Sequence, residues 1–119
     1  MPGRKRTSRK PRRSSRHGSA RARAALRAYG YHGTHVVRLP SIANSGLLPF
    51  ESSTGPGVFF VDNEKAAARF GVVLRFPWPA RSKARGDYFI ASEVVPTDGM
   101  EVLIRGRWVP ISEFYDPDV

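Results

Sequence analysis

Residues 55–76 read GPGVFFVDNEKAAARFGVVLRF, and this stretch decides the fold class. The β-type run 58–61 follows a glycine-rich loop, and the Asp and Asn after it are suited to cap a helix over 64–70. Gly71 suits the end of that helix, and 72–76 is a second run of β-type apolar residues. A strand, a short helix and a strand in such close succession predict helices packed on a sheet.

The segments on either side of this stretch predict one more helix and further strands. Residues 80–86 are basic and are interpreted as a loop. The other expected elements are a strand at 29–34, a helix at 39–47, a strand at 88–95, and a hairpin of 100–104 with 107–110. Because most of the strands come after the helices, the order predicts an α+β fold over residues 29–119, with a compact mixed β-sheet and two short helices.

The positive charge of the chain is concentrated at its N-terminus. Residues 1–28 hold 11 of the 20 Lys and Arg and no acidic residue, whereas 29–119 hold 9 basic and 10 acidic residues. The N-terminal segment has too little apolar surface to offset its ordering entropy, so we expect a largely disordered basic tail with a short helix at 20–28. The cations within 4–27 predict nucleic-acid binding that weakens with salt.

Several function classes are excluded or disfavoured by composition and motif. The absence of cysteine removes disulfides, thiol nucleophiles and Cys-based metal sites, and the histidines have no partners at metal-ligand spacing, so no metal site is expected. Walker, dinucleotide-binding and nucleophile-elbow motifs are missing. No apolar run is long enough to span a bilayer and no secretory signal is present, which predicts a cytoplasmic protein with no membrane partner.

Four short motifs follow one another along the body of the chain. They are YHGT at 31–34, Ile42 with GL at 46–47, GPGVFFVD at 55–62, and KA at 65–66 with Phe70. In order and spacing they resemble the diphtheria-toxin-like and poly(ADP-ribose)-polymerase-like branch of the ADP-ribosyltransferases. The acidic residue that opens a strand in that family has a counterpart in DYFI at 87–90. The resemblance implies an ADP-ribosyltransferase-like fold and a transferase of the glycosyltransferase class with NAD as its substrate.

The resemblance also implies which residues hold NAD. His32 would hydrogen-bond a ribose hydroxyl and take part in catalysis, and the backbone of Gly33 would reach the nicotinamide carboxamide, with Thr34 beside it in the cofactor-binding segment. Phe59 and Phe70 would form the two walls around the nicotinamide ring, and Phe59 is therefore also a predicted catalytic residue.

An acidic residue would stabilise the positive charge that develops as the nicotinamide–ribose bond lengthens. Asp87 is the first candidate because it directly precedes an aromatic and apolar run, Glu101 is the second, and Glu93 is the third. The predicted basic loop supplies three candidates for contact with the pyrophosphate of NAD, namely Arg81, Lys83 and Arg85.

The chain departs from the family pattern at two positions. Phe59 stands where many members have Tyr, and Ala67 stands where the polymerase branch often has Ser, which predicts weaker NAD binding. With these departures the leading hypothesis is ADP-ribose transfer to a macromolecular acceptor, either nucleic acid or an associated protein. An RNA 2′-phosphotransferase is the closest alternative, although that family has a second His in place of Phe59. A non-enzymatic nucleic-acid-binding protein is the alternative from another class.

Overall fold

The computed structural model describes residues 28–51 and 55–119, and the predictions for the basic tail lie outside the described residues. The strands are β1 (Tyr29–Thr34), β2 (Val58–Phe60), β3 (Val72–Pro77), β4 (Ser82–Arg85), β5 (Tyr88–Ala91), β6 (Glu101–Ile104) and β7 (Arg107–Pro110). The helices are α1 (Leu39–Ser45), α2 (Glu64–Ala68) and the single 3-10 turns Val36–Arg38 and Ile111–Phe114. The α+β class predicted from the sequence is confirmed.

The strands form two antiparallel sheets, so the prediction of a single mixed sheet was wrong. One sheet has the order β1-β3-β6-β7 and the other the order β2-β5-β4. No neighbouring strands of the described residues run parallel, because β4/β5 and β6/β7 are hairpins and the longer connections also return the chain in the opposite direction. A single pair of residues, Tyr31 and Val61, joins β1 to the end of β2.

The apolar core lies between the inner faces of the two sheets and α1. The four-stranded sheet contributes Leu74 and Phe76, the three-stranded sheet contributes Phe60, and α1 contributes Leu39 and Ile42, all of them buried. The Phe60 ring lies edge-on to Phe76, with the ring centroids 5.7 Å apart. Burial of large apolar side chains from three elements in one cluster is the main force that holds the sheets together.

The predicted hairpin of the last two strands is confirmed. Its register pairs Ile104 with Arg107, leaving Arg105 and Gly106 as a two-residue turn. Both turn residues have positive φ, 49° and 78°, which is the conformation that matches the right-handed twist of the flanking strands. Glycine takes this conformation without steric cost, whereas Arg105 takes it at some cost.

The basic segment 80–86 is not a loop as predicted. Residues 82–85 form β4, which pairs with β5 through Lys83 opposite Ile90 and Arg85 opposite Tyr88. The strand lies at the edge of its sheet and is mostly exposed. Edge strands often carry charged side chains in place of the apolar alternation that marks a strand, which is why composition alone suggested a loop.

Three predicted elements were too long. The helix predicted over 39–47 ends at Ser45, the helix predicted over 64–70 ends at Ala68, and the strand predicted over 88–95 ends at Ala91. Val95 instead pairs singly with Leu47, which ties the chain after β5 to the end of α1. No helix within the described residues has both the length and the apolar character needed to cross a membrane.

Candidate active site

The candidate site begins where β1 and β2 meet. The amide of Tyr31 donates to the carbonyl oxygen of Val61 at 2.9 Å, and the amide of Val61 donates back to the carbonyl oxygen of Tyr31 at 2.8 Å. This pair of hydrogen bonds is the backbone link between the two sheets in the described part of the chain. One residue further along β1, a side chain forms the next link between the two sheets.

That side chain is His32, whose Nδ1 lies 2.7 Å from the carbonyl oxygen of Phe59 on β2. Because a carbonyl oxygen can only accept, Nδ1 carries the proton, and Nε2 of the neutral ring keeps its lone pair. Burial lowers the pKa of His32 below its ordinary value, and the positive charge of Arg38 lowers it further, while the hydrogen bond to Phe59 opposes both effects. His32 is therefore held in one orientation as a neutral imidazole with Nε2 as a hydrogen-bond acceptor.

Gly33 follows His32 at the place where α2 lies against the sheet. A Cβ atom on Gly33 would overlap the carbonyl oxygen of Ala67 and would come within 2.8 Å of the Cβ of Phe70. Only glycine allows the end of α2 to approach β1 this closely. The backbone groups of Gly33 consequently lie beside the side chains of the segment that follows α2.

A cavity of about 500 Å³ opens between β1, β2, α2 and the start of β5. It brings together five residues predicted for the site, which are His32, Gly33, Phe59, Phe70 and Asp87. Its remaining lining residues include Tyr31, Val61, Ala66, Ala67, Arg69 and Tyr88. The cavity is mainly apolar, with a few polar groups at its edges, which is the usual character of a site for a small organic ligand.

Aromatic residues line the cavity from the three-stranded sheet and from the segment after α2. Phe59 on β2 packs edge-on against Tyr88 on β5, with ring centroids 5.6 Å apart. Phe70 follows α2 and is 67% exposed, although its ring lines the cavity. An exposed phenyl ring beside a half-buried one gives two apolar surfaces on which a flat aromatic ligand can stack.

Asp87 is the one carboxylate among the described residues that lines this cavity. It occupies the turn between β4 and β5, directly before Tyr88. Asp87 is exposed to solvent. An ionised carboxylate at the edge of an apolar cavity can stabilise positive charge on a bound ligand.

The other two candidate acids lie elsewhere. Glu101 on β6 accepts from Nε of Arg75 at 2.7 Å, and the Arg75 guanidinium lies 4.5 Å from the ring centroid of Tyr29 and 4.1 Å from that of Trp108. Glu93 is exposed, with its carboxylate 3.7 Å from Arg81. The structure therefore gives Glu101 a place in a cluster on the four-stranded sheet and does not bring it to the cavity.

A second cavity, of about 290 Å³, also has His32 in its lining. It shares His32 and Phe59 with the first cavity, and its lining includes Thr34, Arg38 and Ser41. Thr34 is buried and belongs to this second cavity rather than the first. His32 and Phe59 are therefore the residues that the two linings have in common.

Sequence reasoning did not single out Arg38 or Tyr88. Arg38 is the last residue of the 3-10 turn Val36–Arg38. At the start of this turn, Nδ1 of His35 accepts a hydrogen bond from the amide of Val37. In the sequence, the only indication that Arg38 lies near the site is its short separation along the chain from Thr34. Tyr88 could have been found from its place directly after Asp87 in the DYFI motif.

The described residues contain no group of three or more His, Asp or Glu side chains arranged to hold a metal ion. The polar side chains around the two cavities are instead the imidazole of His32, one carboxylate, two guanidinium groups and four hydroxyls, which belong to Asp87, Arg38, Arg69, Tyr31, Tyr88, Thr34 and Ser41. Comparison of the chain with protein-family models, curated proteins and solved structures finds no match.

Proposed function

We propose that the protein is an NAD-dependent ADP-ribosyltransferase that acts on a macromolecular acceptor. The observation that supports this proposal is that His32, Gly33, Phe59, Phe70 and Asp87 line a single cavity. These residues come from four separate segments of the sequence, at positions 32–33, 59, 70 and 87.

The nicotinamide, its ribose and the pyrophosphate of NAD each have a matching group. The nicotinamide ring stacks between Phe59 and Phe70, and such offset aromatic contacts contribute roughly 0.5–1.5 kcal/mol each beyond burial. A ribose hydroxyl donates to Nε2 of His32, which is oriented by the bond from Nδ1 to Phe59. The remainder of the donor lies in the second cavity, where Arg38 pairs with the pyrophosphate.

The proposed reaction breaks the bond between C1′ of the ribose and N1 of nicotinamide. The electron pair of that bond leaves with the pyridine nitrogen, so nicotinamide departs as a neutral molecule. An acceptor oxygen or nitrogen forms a bond to C1′ and loses its proton to solvent. The carboxylate of Asp87 stabilises the positive charge that develops on the ribose as the bond lengthens, as in glycoside cleavage.

The direct test is the thermal stability of the full chain with and without millimolar NAD. A ligand that binds only the folded state raises the free energy of unfolding by about 1.4 kcal/mol when its concentration is about tenfold above Kd. We expect the melting temperature to rise with NAD, and we expect His32→Ala to abolish the rise. His35→Ala is the matched control, because His35 is exposed and lies outside both cavities.

Release of nicotinamide, measured by chromatography, separates binding from chemistry. We expect release by the wild-type chain and loss of most of that release in Asp87→Asn. An unchanged melting temperature in the presence of NAD, together with no release of nicotinamide, would refute the proposed function.

The segregation of charge supports a second candidate, a non-enzymatic nucleic-acid-binding protein. Residues 1–28 carry a net charge of +11, which suffices for sequence-independent polyanion binding. This candidate predicts no effect of NAD on stability. No comparable observation favours an RNA 2′-phosphotransferase, because Phe59 lines the cavity where that family has its second His.

A further inference from the structure

The three-stranded sheet has an outer face that continues from the cavity to the edge of the sheet. The register pairs Phe59 with Ile90, Ile90 with Lys83, and Tyr88 with Arg85. Paired residues of an antiparallel ladder share a face, and so do residues two apart along one strand. Phe59, Ile90, Tyr88, Lys83 and Arg85 therefore form one surface, which we call the outer face.

The opposite face of the same sheet confirms this assignment. Val58 and Phe60 on β2 and Ala91 on β5 are all buried in the core. The residues of the outer face are half-buried on β2 and β5 and exposed on β4. The outer face thus borders solvent along its whole width and ends at two cationic side chains.

The cations of the outer face are available for a ligand. Lys83 and Arg85 are exposed, and neither forms an ion pair with a described residue. Their neighbour Arg81 lies 3.7 Å from Glu93. The nearest acidic residue in the chain is Asp87, two positions after Arg85, at the mouth of the cavity.

From this arrangement we infer that the outer face binds a single-stranded nucleic acid, which is the acceptor of the proposed transfer. Lys83 and Arg85 pair with backbone phosphates, and the half-buried ring of Tyr88 offers a surface for base stacking. Cations beside an aromatic residue are the usual combination for binding single strands, whose unpaired bases are free to stack on side chains. This inference rests on the proposed function for the role of the bound strand as acceptor, but not for its binding.

The position of Tyr88 connects the outer face to the chemistry. Tyr88 lines the cavity and packs against Phe59, while its cross-strand partner is Arg85. Neighbouring strands lie about 4.8 Å apart, so a phosphate held by Arg85 is close to the mouth of the cavity. A base or sugar stacked on Tyr88 is then adjacent to Asp87, where the ribose of the donor would be attacked.

The test is binding of a fluorescein-labelled single-stranded 12-mer to the full chain, followed by anisotropy over a series of salt concentrations without NAD. The basic tail contributes to the affinity of every variant, so the informative quantity is the difference between variants. We expect Lys83→Gln/Arg85→Gln to bind about tenfold more weakly. We also expect its slope of log K against log salt to be shallower by about 1.4, because each phosphate contact to a single strand contributes about 0.7.

Arg105→Asn/Arg107→Gln is the matched control. It removes the same charge from the hairpin of the other sheet, where both cations are exposed. Its affinity and salt slope should stay closer to wild type than those of the Lys83/Arg85 variant. Equal losses in the two variants would overturn the inference, because the effect would then be one of net charge alone.

Cross-linking locates the bound strand independently of affinity. Irradiation of a 5-iodouracil 12-mer with the full chain should label the tryptic peptide Gly86–Arg105, which contains Tyr88. Labelling confined to peptides of residues 1–28 would overturn the inference. Competition by a poly-glutamate peptide as effective as that by unlabelled oligonucleotide would also overturn it, since the face would then bind any polyanion, including an acidic protein.

The proposed function and this inference fail separately. A chain that ignores NAD but loses oligonucleotide affinity in Lys83→Gln/Arg85→Gln refutes the transferase and keeps the nucleic-acid surface. A chain that binds NAD and releases nicotinamide, with equal oligonucleotide affinity in both double variants, keeps the transferase and refutes the surface.

Discussion

At the scale of single residues, His32 links the two sheets and carries a titratable group into the site. Burial and the charge of Arg38 lower its pKa, so the folded chain favours the neutral imidazole more than the unfolded chain does. As pH falls below the unfolded pKa of about 6.5, the unfolded chain takes up the proton first and the folded state loses stability. The stabilising contribution is complete above that pH and is lost as pH falls through the folded pKa.

We therefore expect the melting temperature of the wild-type chain to fall more steeply than that of His32→Asn between pH 7 and pH 5. The difference corresponds to at most about 1.4 kcal/mol per pH unit, the value for one proton. Calorimetry of both chains over this range measures it. Parallel pH profiles would show that His32 titrates alike in the folded and unfolded chains.

Asp87 and Glu101, the first two of the three candidate acids, differ in what their substitution should cost. Asp87→Asn should leave the free energy of unfolding within about 0.5 kcal/mol of wild type, because exposed side chains contribute little to stability, and should abolish most transfer. Glu101→Gln should keep transfer and cost about 1 kcal/mol, because the half-buried Arg75 loses the charge that it pairs with. Denaturant unfolding and nicotinamide release measure both properties, and the reverse pattern would assign catalysis to Glu101.

Substitution of Gly33 tests whether α2 must lie as close to β1 as it does in the structure. Gly33→Ala places a methyl group on the carbonyl of Ala67, which is backbone and cannot turn aside, so we expect a loss of about 1–3 kcal/mol in the free energy of unfolding. Urea denaturation measures the loss. A stability equal to wild type would show that α2 moves freely away from the sheet.

At the scale of elements, the β6/β7 hairpin and β4 show what sequence reasoning can and cannot predict. The hairpin was predictable because apolar strand-type residues flank a glycine-containing turn, whereas β4 was not, because its side chains are mostly charged and exposed. The residues on the walls of the cavity could be predicted, because they belong to motifs whose order and spacing are visible in the sequence. Lys83 and Arg85 share a face with Phe59 because of the register in which the three strands pair. The local sequence pattern does not show that register.

The turn of the β6/β7 hairpin offers an element-scale prediction. Arg105 has a φ of 49°, and Asn tolerates this conformation better than Arg does. Arg105→Asn should raise the free energy of unfolding by about 0.5 kcal/mol. Gly106→Ala should lower it by about 1 kcal/mol, since φ is 78° there. Thermal unfolding of both variants checks the opposite signs, and equal shifts would argue against this turn geometry.

At the scale of the whole molecule, charge and apolar core belong to different parts of the chain. The core residues all lie between Leu39 and Ile111, whereas residues 1–28 carry no acid and 11 basic residues. We expect a chain of residues 28–119 to melt cooperatively, because the removed segment holds almost no large apolar side chain. It should lose most of its affinity for nucleic acid at low salt, and circular dichroism with filter binding measures both. A non-cooperative transition would show that the removed segment completes the core.

The link between the two sheets has a consequence for motion. Phe59 belongs to one sheet, while Phe70 follows a helix that packs on the other, so the two walls are carried by separate layers. The layers share backbone hydrogen bonds at Tyr31 and Val61, and rotation about that pivot would widen or narrow the gap between the rings without breaking either ladder. A flat molecule bound between the two rings would restrain this rotation of the layers. Binding of such a molecule would therefore slow hydrogen exchange at the amides of Tyr31 and Val61, some distance from the rings that contact the molecule.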